Sequence, residues 1–156
     1  MSEEGKAVVK RLQQDERADV DVGRGTEGEA ALYAAAATGC DAVVRILLDK
    51  GTDINSRGGG DFYPTALHGA AQAGWETVVK LLLERKADAA VLNSILRTPL
   101  HIAARWGQKN VVMQLLHYSR KEVTKKDKDN WTPRDLAARW RHPAVVQVFI
   151  DEEKQL

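Results

Sequence analysis

Cysteine is almost missing from these 156 residues: Cys40 stands alone. That excludes an internal disulfide framework and a cysteine-based zinc site, and a reducing compartment is expected. No apolar run approaches the roughly 18–20 residues that span a bilayer. The opening Met1-Ser2-Glu3-Glu4 is acidic where a secretory signal is basic and then apolar. The expectation is a soluble protein of the cytoplasm or nucleus, with no membrane contact. Catalytic signatures are missing too. There is no Ser-His-Asp order, no Cys-His pair and no His-Glu-x-x-His spacing. Gly58-Gly59-Gly60 lacks the Lys-Ser/Thr that completes a phosphate-binding loop, and Phe62-Tyr63-Pro64 follows where a helix would start. A flexible, lengthened loop accounts for it. No catalytic residue, metal ligand or cofactor is expected.

Charge of one sign is also scarce, since the formal net charge is only +1. The balance conceals an asymmetry. Residues 1–96 carry 11 basic and 15 acidic side chains, and residues 97–141 carry 11 and 4. A field of that kind bears on where a partner docks rather than on the fold. At 44% hydrophobic residues, the chain can build one packed core.

What the chain has in abundance is internal repetition. Ala30-Ala31-Leu32-Tyr33-Ala34-Ala35-Ala36, Thr65-Ala66-Leu67-His68-Gly69-Ala70-Ala71, Thr98-Pro99-Leu100-His101-Ile102-Ala103-Ala104 and Thr132-Pro133-Arg134-Asp135-Leu136-Ala137-Ala138 align in register. Gly39, Gly74, Gly107 and Arg141 follow at spacings of 35, 33 and 34. Paired valines come next (Val43-Val44, Val78-Val79, Val111-Val112, Val145-Val146), and Leu47, Leu82, Leu115 and Phe149 close each unit. Each unit reads as two helices joined by a turn. Thr98 and Thr132 suit the N-cap, and Pro99 and Pro133 suit the first helical position, where a missing N–H costs nothing. Leu100, Ala103 and Ala104 form a stripe at helical spacing, and small alanines allow close approach. Neither helix covers its apolar face alone, so neighbouring units must stack.

The Thr98-Pro99-Leu100-His101 and Thr65-Ala66-Leu67-His68 segments, with the period near 33, resemble the ankyrin-repeat family. Gly51-Thr52-Asp53-Ile54-Asn55 and Ala87-Asp88 resemble its turn into a β-hairpin, and Gly58 to Tyr63 resembles arrays in fungal ankyrin proteins. The resemblance covers about residues 26–150. It implies an all-α solenoid of stacked helix–turn–helix units with short β-hairpin-like loops. Four repeats are expected at about 26–57, 58–90, 91–126 and 127–150. Residues 1–25 read as an N-terminal half-repeat cap, with an outer-type helix at 4–16, and Thr26 with Glu29 resembles a capping box. Arg134, Asp135 and Arg141 suit a polar terminal unit, and residues 151–156 read as a fraying tail.

The resemblance also separates scaffold from surface. It implies that His68 and His101 tie loops to adjacent repeats rather than act as acid–base groups. It places partner contacts at loop tips, here Asp61, Phe62, Pro64, Ile95, Arg97, Asp129 and Trp131. It places others just after the paired alanines, including Gln72, Arg105-Trp106 and Arg139-Trp140. Ala103-Ala104-Arg105-Trp106 and Ala137-Ala138-Arg139-Trp140 are the same four residues 34 apart. Tryptophan and arginine are enriched at binding hot spots. The alternative is that these tryptophans pack against a neighbouring repeat while the arginines are solvated. Trp75, beside Gly74, is expected to pack, and His142 to cap the helix beginning at Pro143.

The expected function is a protein-interaction module whose concave groove and loop tips bind an acidic or amphipathic segment. The alternative is a small-molecule-binding protein, or an unorthodox enzyme, using an Arg/Trp-lined groove. His101, Tyr33 or Asp61 would then handle protons. Nucleic acid is disfavoured by the acidic residues that interleave the basic half.

Overall fold

The computed structural model describes residues 26–58, 62 and 64–155. The outer-type helix expected at 4–16 and the candidate contact Asp61 lie outside the described residues. Among the described residues eight α-helices follow one another in pairs: α1 (Thr26–Thr38) with α2 (Asp41–Asp49), α3 (Ala66–Ala73) with α4 (Glu76–Glu84), α5 (Pro99–Arg105) with α6 (Lys109–Tyr118), and α7 (Pro133–Arg139) with α8 (Pro143–Glu153). A 3-10 turn, Arg120–Thr124, follows α6. Among the described residues there is no strand, only an isolated antiparallel bridge between Arg57 and Thr65. The fold is an all-α solenoid.

Each inner helix starts where its cap dictates. Thr98 is extended, with φ −82° and ψ 166°, and His101 N–H donates to its hydroxyl. His101 Nδ1 in turn lies 3.2 Å from Thr98 N. Thr65 and His68 repeat the arrangement at 3.2 Å. In the last pair Asp135 replaces the histidine and accepts from Thr132 N at 2.9 Å and Thr132 Oγ1 at 2.7 Å.

Inner helices stack on inner and outer on outer, so the core is a continuous slab running through the pairs. Ala36, Ala71, Ala104 and Ala137 are completely buried between inner helices, where no larger side chain would fit. Val44, Val79, Val112, Leu82 and Phe149 are buried from the outer row. Burying each such side chain is worth roughly 1.5–3 kcal/mol.

Two findings depart from the sequence expectations. Helix α8 continues to Glu153, where the tail was expected to fray, because Arg134 Nη1 grips both Glu153 carboxylate oxygens at 2.9 Å. His142 makes no capping bond with its side chain. Instead its Nε2 lies 2.8 Å from Arg105 O in the preceding pair.

That bond is one rung of a ladder. Trp75 Nε1 donates to Ala37 O at 2.9 Å, and Gln108 Nε2 donates to Gln72 O at 3.0 Å, from the same position of successive pairs. The ladder explains the glycines. Gly39, Gly74 and Gly107 have φ of 77°, 79° and 71°. A Cβ on each would lie within 2.7 Å of Trp75, Gln108 and His142 respectively. The turn needs left-handed backbone, and the next pair lays a side chain across it.

Candidate functional site

The concave face is built from two rows that the stack holds in register. One row consists of loop tips. Asn93 Oδ1 accepts from Ile95 N and Arg97 N at 3.1 and 2.9 Å, and Asp127 Oδ1 accepts from Asp129 N and Trp131 N at 2.9 and 3.0 Å. The two residues are 34 apart and fold the same turn. Successive tips are then joined, Ser94 N to Phe62 O at 3.0 Å and Lys128 N to Ile95 O at 3.1 Å.

Arg97 was expected among the tip contacts, but its side chain is turned inward. Its Nε donates to Asp127 Oδ2 at 2.7 Å, and its Nη2 lies 3.8 Å from Asp129. Both partners of the closer pair are buried. Burial raises the Asp127 carboxyl, but donors from Trp131 N–H and the Arg97 guanidinium outweigh it and hold it below the usual carboxylate range. An ion pair thus fastens one tip to the next. Sequence reasoning missed Asn93 and Asp127, although their identical distance from the following Thr was available as a signal.

His68 and His101 are almost wholly enclosed. His68 Nε2 lies 2.9 Å from Arg97 O; His101 Nε2 lies 3.1 Å from Lys125 O and 3.2 Å from Trp131 O. Nδ1 accepts from the capping Thr, so Nε2 carries the proton and donates to the next loop. Desolvation by burial lowers both rings to about 4. Both ring nitrogens of each histidine are taken up by these bonds, which clamp the tips.

The second row lies on the inner helices. Gln72 is exposed at the end of α3. The Arg105 guanidinium lies 4.9 Å from the ring centre of Trp140 and 5.9 Å from that of Trp106. Arg139 lies 5.3 Å over Trp131. Arg105 therefore meets both its own tryptophan and the next repeat's, while Arg139 meets the loop-tip Trp131 of its own repeat. Trp106 and Trp140 remain 51% and 50% exposed. Burial, and behind it the Arg97 charge, lower Arg105 from the ordinary arginine value. It remains a cation at neutral pH. Trp75, by contrast, lies across Gly39 and donates to Ala37 O, away from this cluster.

Between the rows lies a cleft of about 430 Å³, lined by Tyr33, Phe62, Pro64, Gln72, Ile95, Ile102 and Arg105 among others. Tyr33 replaces the histidine of the first pair and fills space that Gly58 and Gly69 leave, since a Cβ on either would come within 2.9 Å of its ring. Ile102 is a wall residue that sequence reasoning did not single out. A larger cleft of about 850 Å³ sits at the end of the stack, against Ala138 and Val146. Their counterparts Ala104 and Val112 are buried in the preceding pair, so this cleft lies on the last of the described pairs.

Among the described residues no group of three or more His, Cys, Asp or Glu could hold a metal ion, and no helix is long and apolar enough to cross a membrane. The family profile for ankyrin repeats (3 copies) matches residues 67–156, and the single ankyrin-repeat profile matches residues 27–59. The chain is 36% identical over 66 residues to the ankyrin repeat-containing protein ITN1 of Arabidopsis thaliana. That match takes in 42% of this chain and only 11% of the plant protein. With the capped inner helices, the glycine turns and these matches in agreement, the chain belongs to the ankyrin-repeat family.

Proposed function

We propose that this protein is an interaction module that binds a segment of a partner protein along its concave face, between the loop tips and the inner helices. The observation that carries this reading is the exposure of Trp106 and Trp140 on a rigid helix row, each stacked on Arg105. Large aromatic area left uncovered by a monomer marks a contact surface, and a preorganised row binds with little ordering cost. Phe62 and Gln72, exposed across the cleft, extend the surface. The basic surplus of residues 97–141 favours an acidic or amphipathic segment.

Selection of a displayed random-peptide library tests the reading. The targets are the wild type and the Trp106→Ala/Trp140→Ala variant, whose urea midpoint is measured in parallel. Enriched peptides are expected to bind the variant at least about ten-fold more weakly, the scale of a lost hot spot, with stability little changed. Peptides that bind both proteins equally would place the contact surface elsewhere.

A further inference from the structure

Two features of the concave face specify more than a generic segment. The Arg105 guanidinium has Trp106 stacked at 5.9 Å and Trp140 at 4.9 Å. A cation over an aromatic face keeps N–H donors that can meet an oxyanion. No carboxylate among the described residues takes these donors. Of the tip-row carboxylates, Asp127 and Asp129 face Arg97 at 2.7 and 3.8 Å. Arg139, stacked on Trp131 at 5.3 Å, is likewise without an acidic partner among the described residues. The indoles thus hold two cations in place.

The second feature is that Arg105 also borders the 430 Å³ cleft, whose other walls include Tyr33, Phe62, Ile95 and Ile102. These four walls are aromatic and aliphatic, while Gln72, Asn93, His68, Arg97 and Asp129 make up the polar part of the lining. An anion receptor therefore adjoins an apolar receptor, both facing the same side of the groove.

We infer that the groove recognises an extended acidic-apolar segment, with one carboxylate on Arg105 and an apolar side chain in the adjoining cleft. The two residues stand two positions apart in the partner, because alternate side chains of an extended chain project to one side. A second carboxylate two positions beyond meets Arg139. This assignment rests on the concave face being the binding surface.

The probe is a blocked heptapeptide, acetyl-Ser-Phe-Ser-Glu-Ser-Glu-Ser-amide. One control carries Gln for both Glu, and another carries Ala for Phe. Binding is followed through the indole N–H resonances of the four tryptophans. Trp75, bonded to Ala37 O, is the internal reference. With the acidic probe at millimolar concentration, Trp106, Trp131 and Trp140 are expected to shift while Trp75 stays. The Gln and Ala controls are expected to bind about ten-fold or more weakly. Raising salt to about 0.5 M should weaken the acidic probe alone. In Arg105→Ala the preference for Glu over Gln should vanish, and Arg105→Lys, which keeps charge but not the guanidinium, should restore only part of it.

A Gln peptide that binds as tightly as the Glu peptide, with the same indole shifts, overturns the carboxylate assignment and leaves the groove as a protein-binding surface. Absence of indole shifts with any probe also overturns it, while the library selection decides the broader reading separately. A twelve-residue oligothymidylate that shifts these indoles more tightly than the acidic peptide would assign the stack to nucleic acid instead.

Discussion

His68 and His101 occupy one position of the repeat, and each closes two bonds at once, to its own capping threonine and to a carbonyl of the next loop. Their scaffold role was legible from the position alone, but the acceptors were not, because Arg97 O and Trp131 O lie about 30 residues further on. The geometry has a consequence for acid stability. Desolvation by burial lowers both rings from 6.5 to about 4, against the raising effect of the accepting carbonyls. The unfolded chain therefore takes up protons between those values while the folded chain does not. Stability is complete above about pH 6.5 and falls as pH drops towards 4, by at most roughly 3 kcal/mol per ring. Asp127 and Asp135, held below the ordinary carboxylate value, add to the loss only at lower pH. Urea midpoints between pH 7.5 and 4.5 should decline in the wild type and decline less steeply in His101→Gln. A flat wild-type profile would contradict the buried, neutral pair.

At the scale of the element, the helix–turn–helix joints carry the more specific information. The glycine period was visible in the sequence, and so was its breach at Arg141. Only the structure shows why the breach is tolerated. At Gly107 a Cβ would lie 2.5 Å from His142 Nδ1, in the ring that binds Arg105 O. Among the described residues no further pair lays a side chain across Arg141, which adopts φ 60°. Gly107→Ala should therefore cost about 1–3 kcal/mol, combining left-handed strain with loss of the His142 bond. Arg141→Gly should gain about 0.5–1 kcal/mol by relieving strain alone. Thermal melts of the two variants decide it; a lower midpoint for Arg141→Gly would mean that the arginine makes a contact worth more than its strain. The tips follow the same logic. Arg97 was read as a contact because the family resemblance places contacts at loop tips, but Asp127, 30 residues away, pairs with it.

At the scale of the molecule, four helix pairs share one slab, and each pair touches only its neighbours. Stability is then a sum of units and interfaces, so position along the stack matters. Leu82→Ala or Leu115→Ala, in central pairs buried on both sides, should cost roughly 2–5 kcal/mol and lower the global transition. Phe149 is equally buried, but its pair has a neighbour on one side only. Phe149→Ala should chiefly loosen α7 and α8, raising their amide exchange well before that of α3 and α4. Uniform exchange along the stack in that variant would show that the solenoid opens as a single unit. The same arrangement sets the proposed binding surface, since Arg105 meets Trp140 only because α5 and α7 lie side by side.

Caps, apolar stripes and glycine spacing are local, and local rules of backbone and packing were enough to reveal the helices, their pairing and their stacking from residue order alone. The sequence also marked Arg105-Trp106 and Arg139-Trp140 as a repeated pair at positions facing the groove. What it could not determine was which side chain meets which across 30 or more residues. The arginine between two indoles, the Arg97–Asp127 fastening and the ladder from Trp75, Gln108 and His142 exist only once the stack brings neighbouring units to contact distance. Tertiary structure therefore decided which charges are paired within the scaffold and which, like Arg105 and Arg139, have no acidic partner among the described residues.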